Sequence, residues 1–138
     1  NACLNLNIPP NREGLFDSKD VERCKELGEL IQNEFKKDIS KDAVIEEIET
    51  SSPTQKCIDI SFNEEKNIKY IVLKEDISKG QRVETFLICT SKDKIHSRYE
   101  GTTIGHKKIC VINKKTDFLR IQIVAARNKV NLLPIEIY

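Results

Sequence analysis

A helical period governs the first third of the chain: Val21, Cys24, Leu27, Gly28, Ile31 and Phe35 recur every three or four residues and fall on one face. Asp17 stands where an N-cap belongs, with Asp20 at the third helical position and Phe16 placed to pack against Val21. The spacing predicts a helix over 18–37. Ahead of it, Leu4, Leu6 and Ile8 alternate with polar residues, the period-two signature of a short strand. Pro9-Pro10 ends that strand and Gly14 marks a turn.

Beyond a linker near 37–42 the pattern changes to short strands, near 43–50, 56–62, 67–74, 83–90, 95–99, 104–112, 117–126 and 133–138. Phe118-Leu-Arg-Ile-Gln-Ile-Val124 alternates cleanly from residue 119 onward. Cys57–Phe62 and Ile68–Leu73 carry the β-branched and aromatic residues that strands favour. Asn63-Glu-Glu, Ser91-Lys-Asp and Asn113-Lys-Lys read as turns. Residues 43–50 stay ambiguous, because Val44, Ile45 and Ile48 would equally form a helical face. Short strands at this spacing define a mainly β chain, an antiparallel β-sandwich or jelly roll preceded by one long α-helix.

Composition narrows the partners. At 138 residues, with 38% hydrophobic and 33% charged, the chain can bury roughly two-thirds of its unfolded surface around a modest core. Its 23 basic and 22 acidic residues are interspersed, so no like-charge block offers a footprint for nucleic acid. No apolar run approaches the roughly 20 residues a membrane-spanning helix needs, and no signal-peptide pattern is present, which says nothing about compartment. There is no methionine, and the opening Asn1-Ala2 is read as a tag remnant or processing scar.

The five cysteines, at 3, 24, 57, 89 and 110, lack CxxC or zinc-ligand spacing. Cys57, Cys89 and Cys110 sit among apolar, β-favouring residues, where a thiol acts as a small buried hydrophobe. His96 and His106 are the only histidines and have no third ligand in range, so no metal site is expected. Neither pairs with a serine or cysteine as a base would with a nucleophile. No cofactor is implied.

Three segments carry a resemblance: Leu4-Asn-Leu-Asn-Ile-Pro-Pro-Asn-Arg-Glu-Gly-Leu15, Asp76-Ile-Ser-Lys-Gly-Gln-Arg-Val83 and Glu100-Gly-Thr-Thr-Ile-Gly-His-Lys-Lys-Ile109. Taken in that order, they resemble the C-terminal end of the α-L-fucosidases of glycoside hydrolase family 29. The resemblance implies that residues 1–40 are the last strand and helix of a catalytic barrel plus a linker, and that 41–138 form a C-terminal β-sandwich. It also implies a galactose-binding or discoidin-like sandwich, and a secreted, periplasmic or lysosomal address. Retaining enzymes of this kind need two carboxyl groups about 5 Å apart. The resemblance places the nucleophile on an earlier barrel strand, outside this chain. The expected role is therefore a non-catalytic accessory domain, with the catalytic barrel of the same polypeptide as partner. The alternative is a carbohydrate-binding module tethering the enzyme to fucosylated glycans.

Candidate ligand-contacting residues follow from that frame. If residues 4–8 are the last barrel strand, Asn11 and Arg12 lie on the loop after it, at the rim of the catalytic mouth. Severed from partner strands, residues 4–8 are expected to be disordered, swapped or docked on the helix. Tyr99 and Tyr138 are the remaining candidates to stack on a sugar ring, each weighed against a role in core or edge packing. His106 stands where the family has tyrosine, and Lys107, Arg82 and Arg127 are weighed between structural and ligand roles. Asp59, with apolar neighbours at 58 and 60, is expected to face solvent. Gly80, Gly101 and Gly105 are expected to turn the chain with positive φ. The chain departs from the family where sugars would stack. It has no tryptophan, Ile95 replaces the family's Trp, and Ser51-Ser52 runs almost directly to Cys57 without the Asp-Gly loop.

Overall fold

The computed structural model describes residues 6–92 and 98–138. They divide into two units, one ending at Lys37 and one beginning at Asp38.

In the N-terminal unit, α1 spans Ser18–Glu34. Asp17 caps it, accepting from the backbone N–H of Lys19 at 2.9 Å. The helix stops three residues short of the expected 37, at a Phe35 C-cap. Asp38 explains the early end: its carboxylate accepts from the Ser40 N–H and hydroxyl, an Asx turn that competes with continued helix. No residue of α1 is buried. Leu30 and Ile31 are 61% and 49% exposed, and Phe16, expected to pack on Val21, is itself exposed. Residues 6–8 lie outside any strand, correcting the expected strand over that stretch; Leu4 falls outside the described residues. Leu6 to Pro9 instead face Asp20, Arg23 and Cys24 of the helix across a small cavity.

The second unit opens with a 3₁₀ turn at Ser40–Asp42 and then six strands: β1 Ala43–Ile48, β2 Lys56–Leu73, β3 Val83–Cys89, β4 Arg98–Gly101, β5 Lys108–Ala126 and β6 Glu136–Ile137. All pairings are antiparallel, in the order β1-β2-β5-β3-β4, with β6 on β2. The ambiguous 43–50 stretch is a strand. Two expectations are corrected: 56–62 with 67–74, and 104–112 with 117–126, are each one long strand rather than two. Asn63-Glu-Glu and Asn113-Lys-Lys are not reversals but sit within strands. The ladder shifts register between Ser61 and Lys66 and between Ile68 and Tyr70, and Asn113 takes φ 50°. Such bulges bend a strand without ending it. The strand expected at 95–99 is seen at Arg98–Gly101, with 95–97 outside the described residues, and the one expected at 133–138 shrinks to two residues.

The bent strands let one hydrogen-bonded sheet supply both layers of a β-sandwich. The first half of β2 pairs with the second half of β5, while its second half pairs with the first half of β5 and with β6. Even-numbered Ile58, Ile60 and Phe62 meet Leu119, Ile121 and Ile123 on the inner face, where Ile71, Cys110 and Ile137 join from the other half. Phe86 is fully buried and stacks on Tyr99 with ring centroids 6.0 Å apart. Gly101 belongs here for a different reason from the expected one, since its φ is not positive. A Cβ would lie 2.2 Å from the Phe86 ring, so only glycine lets β4 approach. Gly80 and Gly105 do take positive φ, 89° and 63°.

Candidate functional site

The loops that leave β2 and β5 meet at one end of the sandwich, and a single carboxylate organises them. Glu75 is 1% exposed. Its Oε1 accepts from the backbone N–H of Arg82 at 2.7 Å and of Val83 at 3.2 Å. Its own N–H donates to the Gly105 carbonyl at 2.9 Å, tying the loop to the Gly-Thr-Thr-Ile-Gly segment. Oε2 has no hydrogen-bond partner among the described residues. A buried acceptor holding two backbone donors fixes where the 76–82 loop begins and ends.

Asp76 shapes the loop itself. Its Oδ1 accepts from the Ser78 N–H at 3.0 Å and its Oδ2 from Asn131 Nδ2 at 3.1 Å. The Ser78 hydroxyl and N–H, with Asn131 and the charge of Arg82, hold this carboxyl below its ordinary value despite some desolvation. Across from it, Arg82 Nη1 donates to the Lys129 carbonyl at 2.6 Å, and the Arg127 N–H donates to the Arg82 carbonyl at 2.9 Å. The result is a cleft of about 310 Å³ lined by Asp76, Ser78, Lys79, Arg82, Lys129 and Asn131, with Val130 anchoring its floor in the core. A second concavity, about 600 Å³, lies on the other side of Arg82 against Gln81, Thr103, Glu84 and Arg127. Arg127 is paired there with Glu84, Nε to Oε1 at 2.8 Å.

The residues singled out from sequence are dispersed. Arg127 lines the larger concavity beside Arg82. His106 and Lys107 are exposed just after Gly105. Tyr99 is half-buried against Phe86, and burial together with its neighbour Cys110 raises its hydroxyl above the ordinary value. Burial pushes the Cys110 thiol up to about 11, so it stays protonated at neutral pH. Asn11 belongs to the N-terminal unit, where its side-chain oxygen accepts from the N–H of Glu13 and Leu15 at 2.9 and 3.0 Å, holding a loop with Arg12 exposed upon it. His96 lies outside the described residues. Among the described residues no three His, Cys, Asp or Glu side chains gather as a metal-binding group.

Sequence reasoning missed the partners of the loop. Lys129 and Asn131 reach the cleft from some fifty positions away, and Asn131 carries no local signal except its place between Val130 and Leu132. Asp59 does lie on the outer face, yet not bare to solvent. It forms a two-pronged pair with Arg120, Oδ1 to Nε at 2.6 Å and Oδ2 to Nη2 at 2.5 Å, both side chains largely covered. Arg120 and Lys92 also lie over the face of Phe118, which explains why an aromatic on the outer face is 5% exposed.

The geometry defines a discoidin-like β-sandwich with a polar loop cleft, and its solved neighbours agree. The tandem CBM32 domains of Clostridium perfringens ZmpB superpose over 82% of this chain with a TM-score of 0.56 at 13% identity, covering 38% of their own chain. A Ruminococcus gnavus GH29 fucosidase, solved in complex with fucose, superposes over all of this chain with a TM-score of 0.83 at 22% identity. That match covers 34% of the fucosidase. By sequence, a protein of Oryza sativa subsp. japonica named "Putative alpha-L-fucosidase 1" is 26% identical over 92% of this chain, which spans 30% of it. No family model matches. The chain is thus similar to part of the α-L-fucosidases of glycoside hydrolase family 29. It spans only about a third of the relatives it matches.

Proposed function

We propose that this chain is the non-catalytic C-terminal accessory domain of an α-L-fucosidase, docking on the catalytic barrel of the same polypeptide and stabilising it. On this reading residues 1–40 complete the barrel and 41–138 are the sandwich. The observation that carries it is the helix. Val21, Leu27 and Ile31 lie on one apolar stripe with Leu30 at its flank, yet each is between 38% and 61% exposed. A side chain of this kind stabilises by about 1.5–3 kcal/mol when fully buried, so a face this wide is a packing surface awaiting the rest of its barrel. Asn11 and Arg12 then sit near the rim of the active site.

The test uses the longest native polypeptide that contains this chain. Leu30→Asp with Ile31→Asp is expected to lower its melting temperature and its release of fucose from an aryl α-L-fucoside, while the 138-residue chain alone releases none. Unchanged melting and turnover in the long polypeptide would overturn the docking role, and release by the short chain would overturn the non-catalytic one. The CBM32 likeness favours a second reading, a carbohydrate-binding module. Calorimetric titration of the 138 residues with fucose and fucosylated oligosaccharides separates the two, millimolar-or-tighter binding favouring the module.

A further inference from the structure

The chain as a whole is nearly neutral, at +1, but the loop cleft is not. Lys79, Arg82 and Lys129 face the single carboxylate of Asp76 there. That carboxylate is already engaged by Ser78 and Asn131. Neither lysine ammonium has an ion-pair partner among the described residues, and Arg82 gives only Nη1 to a backbone carbonyl. Several cations elsewhere on this unit are paired: Lys56 with Glu47, Lys66 with Glu64, Lys115 with Glu65, Arg120 with Asp59, Arg127 with Glu84. What sets the cleft apart is that three cations converge on one hydrogen-bonded loop frame. Glu75 pins the Arg82 and Val83 amides, Gly80 turns the loop at φ 89°, and Asp76 ties it to Asn131.

We propose that this cleft binds the oxyanion of an acidic saccharide, a sulfate ester or a sugar carboxylate, between Lys79, Lys129 and the free edge of the Arg82 guanidinium. A planar fork with two flanking ammonium groups suits a tri-oxygen or carboxylate group. The cleft's volume admits the anionic group with part of its ring. Arg82 also borders the second concavity, where Gln81, Thr103 and the Arg127–Glu84 pair offer donors and acceptors to the hydroxyls of the adjoining sugar. No aromatic among the described residues lines either concavity, so charge rather than ring stacking supplies the attraction, and the site discriminates acidic from neutral glycans. The saccharide half of this proposal rests on the second, carbohydrate-binding reading above; the oxyanion half rests on the cleft alone.

The 138-residue chain is titrated by calorimetry and amide chemical shifts with a sulfated fucan oligosaccharide and a sialylated, fucosylated oligosaccharide, each beside its neutral counterpart, and with inorganic sulfate. Binding of either acidic oligosaccharide is expected, with shifts at the amides of 78, 79, 82, 129 and 131, and the acid that binds identifies the source of the oxyanion. Added salt should weaken it. Lys79→Ala and Lys129→Ala, both at exposed positions, should each weaken it about tenfold without moving the melting temperature. Equal binding of the neutral counterparts, inorganic sulfate binding as tightly as either oligosaccharide, or no binding of either acid would each overturn the proposal. Those failures leave the docking test of the long polypeptide untouched, so the two readings fall separately.

Discussion

Residues 38–138 bury Ile60, Ile71, Phe86 and Leu119 completely, whereas α1, with a comparable set of aliphatic side chains, has no buried residue. The difference is one of closure. A sheet that bends at bulges can fold its apolar face onto itself, so β2 and β5 meet their own second halves across one core. A single helix presents a stripe and cannot cover it, and a 17-residue helix with Gly28 at its middle draws little stability from propensity alone. The sandwich is therefore the part that closes its own core, and the helix the part whose apolar residues stay exposed. Phe86→Ala attacks the first half of that statement hardest. It empties a fully buried ring site and should cost about 3–5 kcal/mol, read as a shift in the denaturant midpoint of the sandwich. Gly101→Ala should cost about 1–3 kcal/mol at the same spot by overpacking. A midpoint unmoved by Phe86→Ala would mean that the core described here does not carry the fold.

The next largest effect is polar. Glu75→Ala leaves the Arg82 and Val83 amides without their acceptor in a buried setting, and should cost about 1–3 kcal/mol. Because Glu75 frames the cleft while lying outside its lining, this variant should also loosen the 76–82 loop. Faster amide exchange at 82 and 83, well before global unfolding, is the measurement that checks it. Retained protection at both amides would show that the loop is held by something else.

How the two units were legible in sequence follows the same division. Asp17 and the three-to-four spacing define α1 from local residues alone, since a cap and a stripe are properties of neighbours. The strands of the sandwich are equally visible as alternation, most clearly over 119–124. Their continuity is not. Asn63-Glu-Glu and Asn113-Lys-Lys have the composition of hairpin turns, yet both fall where the β2–β5 ladder shifts register or bends. Polar, turn-favouring residues serve a chain that reverses and a chain that bends between layers equally well, and only the partner strand distinguishes them. The cleft was half legible for the same reason. Gly80 and Arg82 mark one wall by local chemistry, but Lys129 and Asn131 arrive through the fold.

Asp59 and Arg120 sharpen the comparison at smaller scale, since period two gave Asp59 its face without its partner sixty-one positions later. Both side chains are more than three-quarters covered, placing the pair between the exposed and fully buried cases. Asp59→Asn should cost about 1–2 kcal/mol, and a double-mutant cycle with Arg120→Met should return most of that as coupling. A coupling near zero would show that packing over Phe118, rather than the ion pair, holds Arg120 in place.

Asp38 gives the sandwich a pH edge. Burial pushes its carboxyl up, but hydrogen bonds from the Ile137 N–H at 3.0 Å and from Ser40 outweigh it, so the folded value lies below the ordinary 3.8. A depressed carboxyl contributes stability that is fully present above the unfolded value and is lost as pH falls through the folded one. The melting temperature should therefore start to drop near pH 4 and keep falling below it, while Asp38→Asn, less stable at neutral pH, should show a shallower acid slope. Parallel acid slopes for the two proteins would remove Asp38 from the account of how β6 is held.

The smallest expected effect tests the other unit. Leu30 is 61% exposed, so Leu30→Ser removes little burial in the 138-residue chain and should change its stability by no more than about 0.5 kcal/mol. Placed in the longer native polypeptide, the same substitution should become costly, because a packed leucine lost to a polar group forfeits its transfer free energy and leaves a hydroxyl to satisfy. The two numbers matter only together. A small cost in both contexts would mean that the stripe of α1 meets no partner in the longer protein, and a large cost in the short chain would mean that the helix already has one.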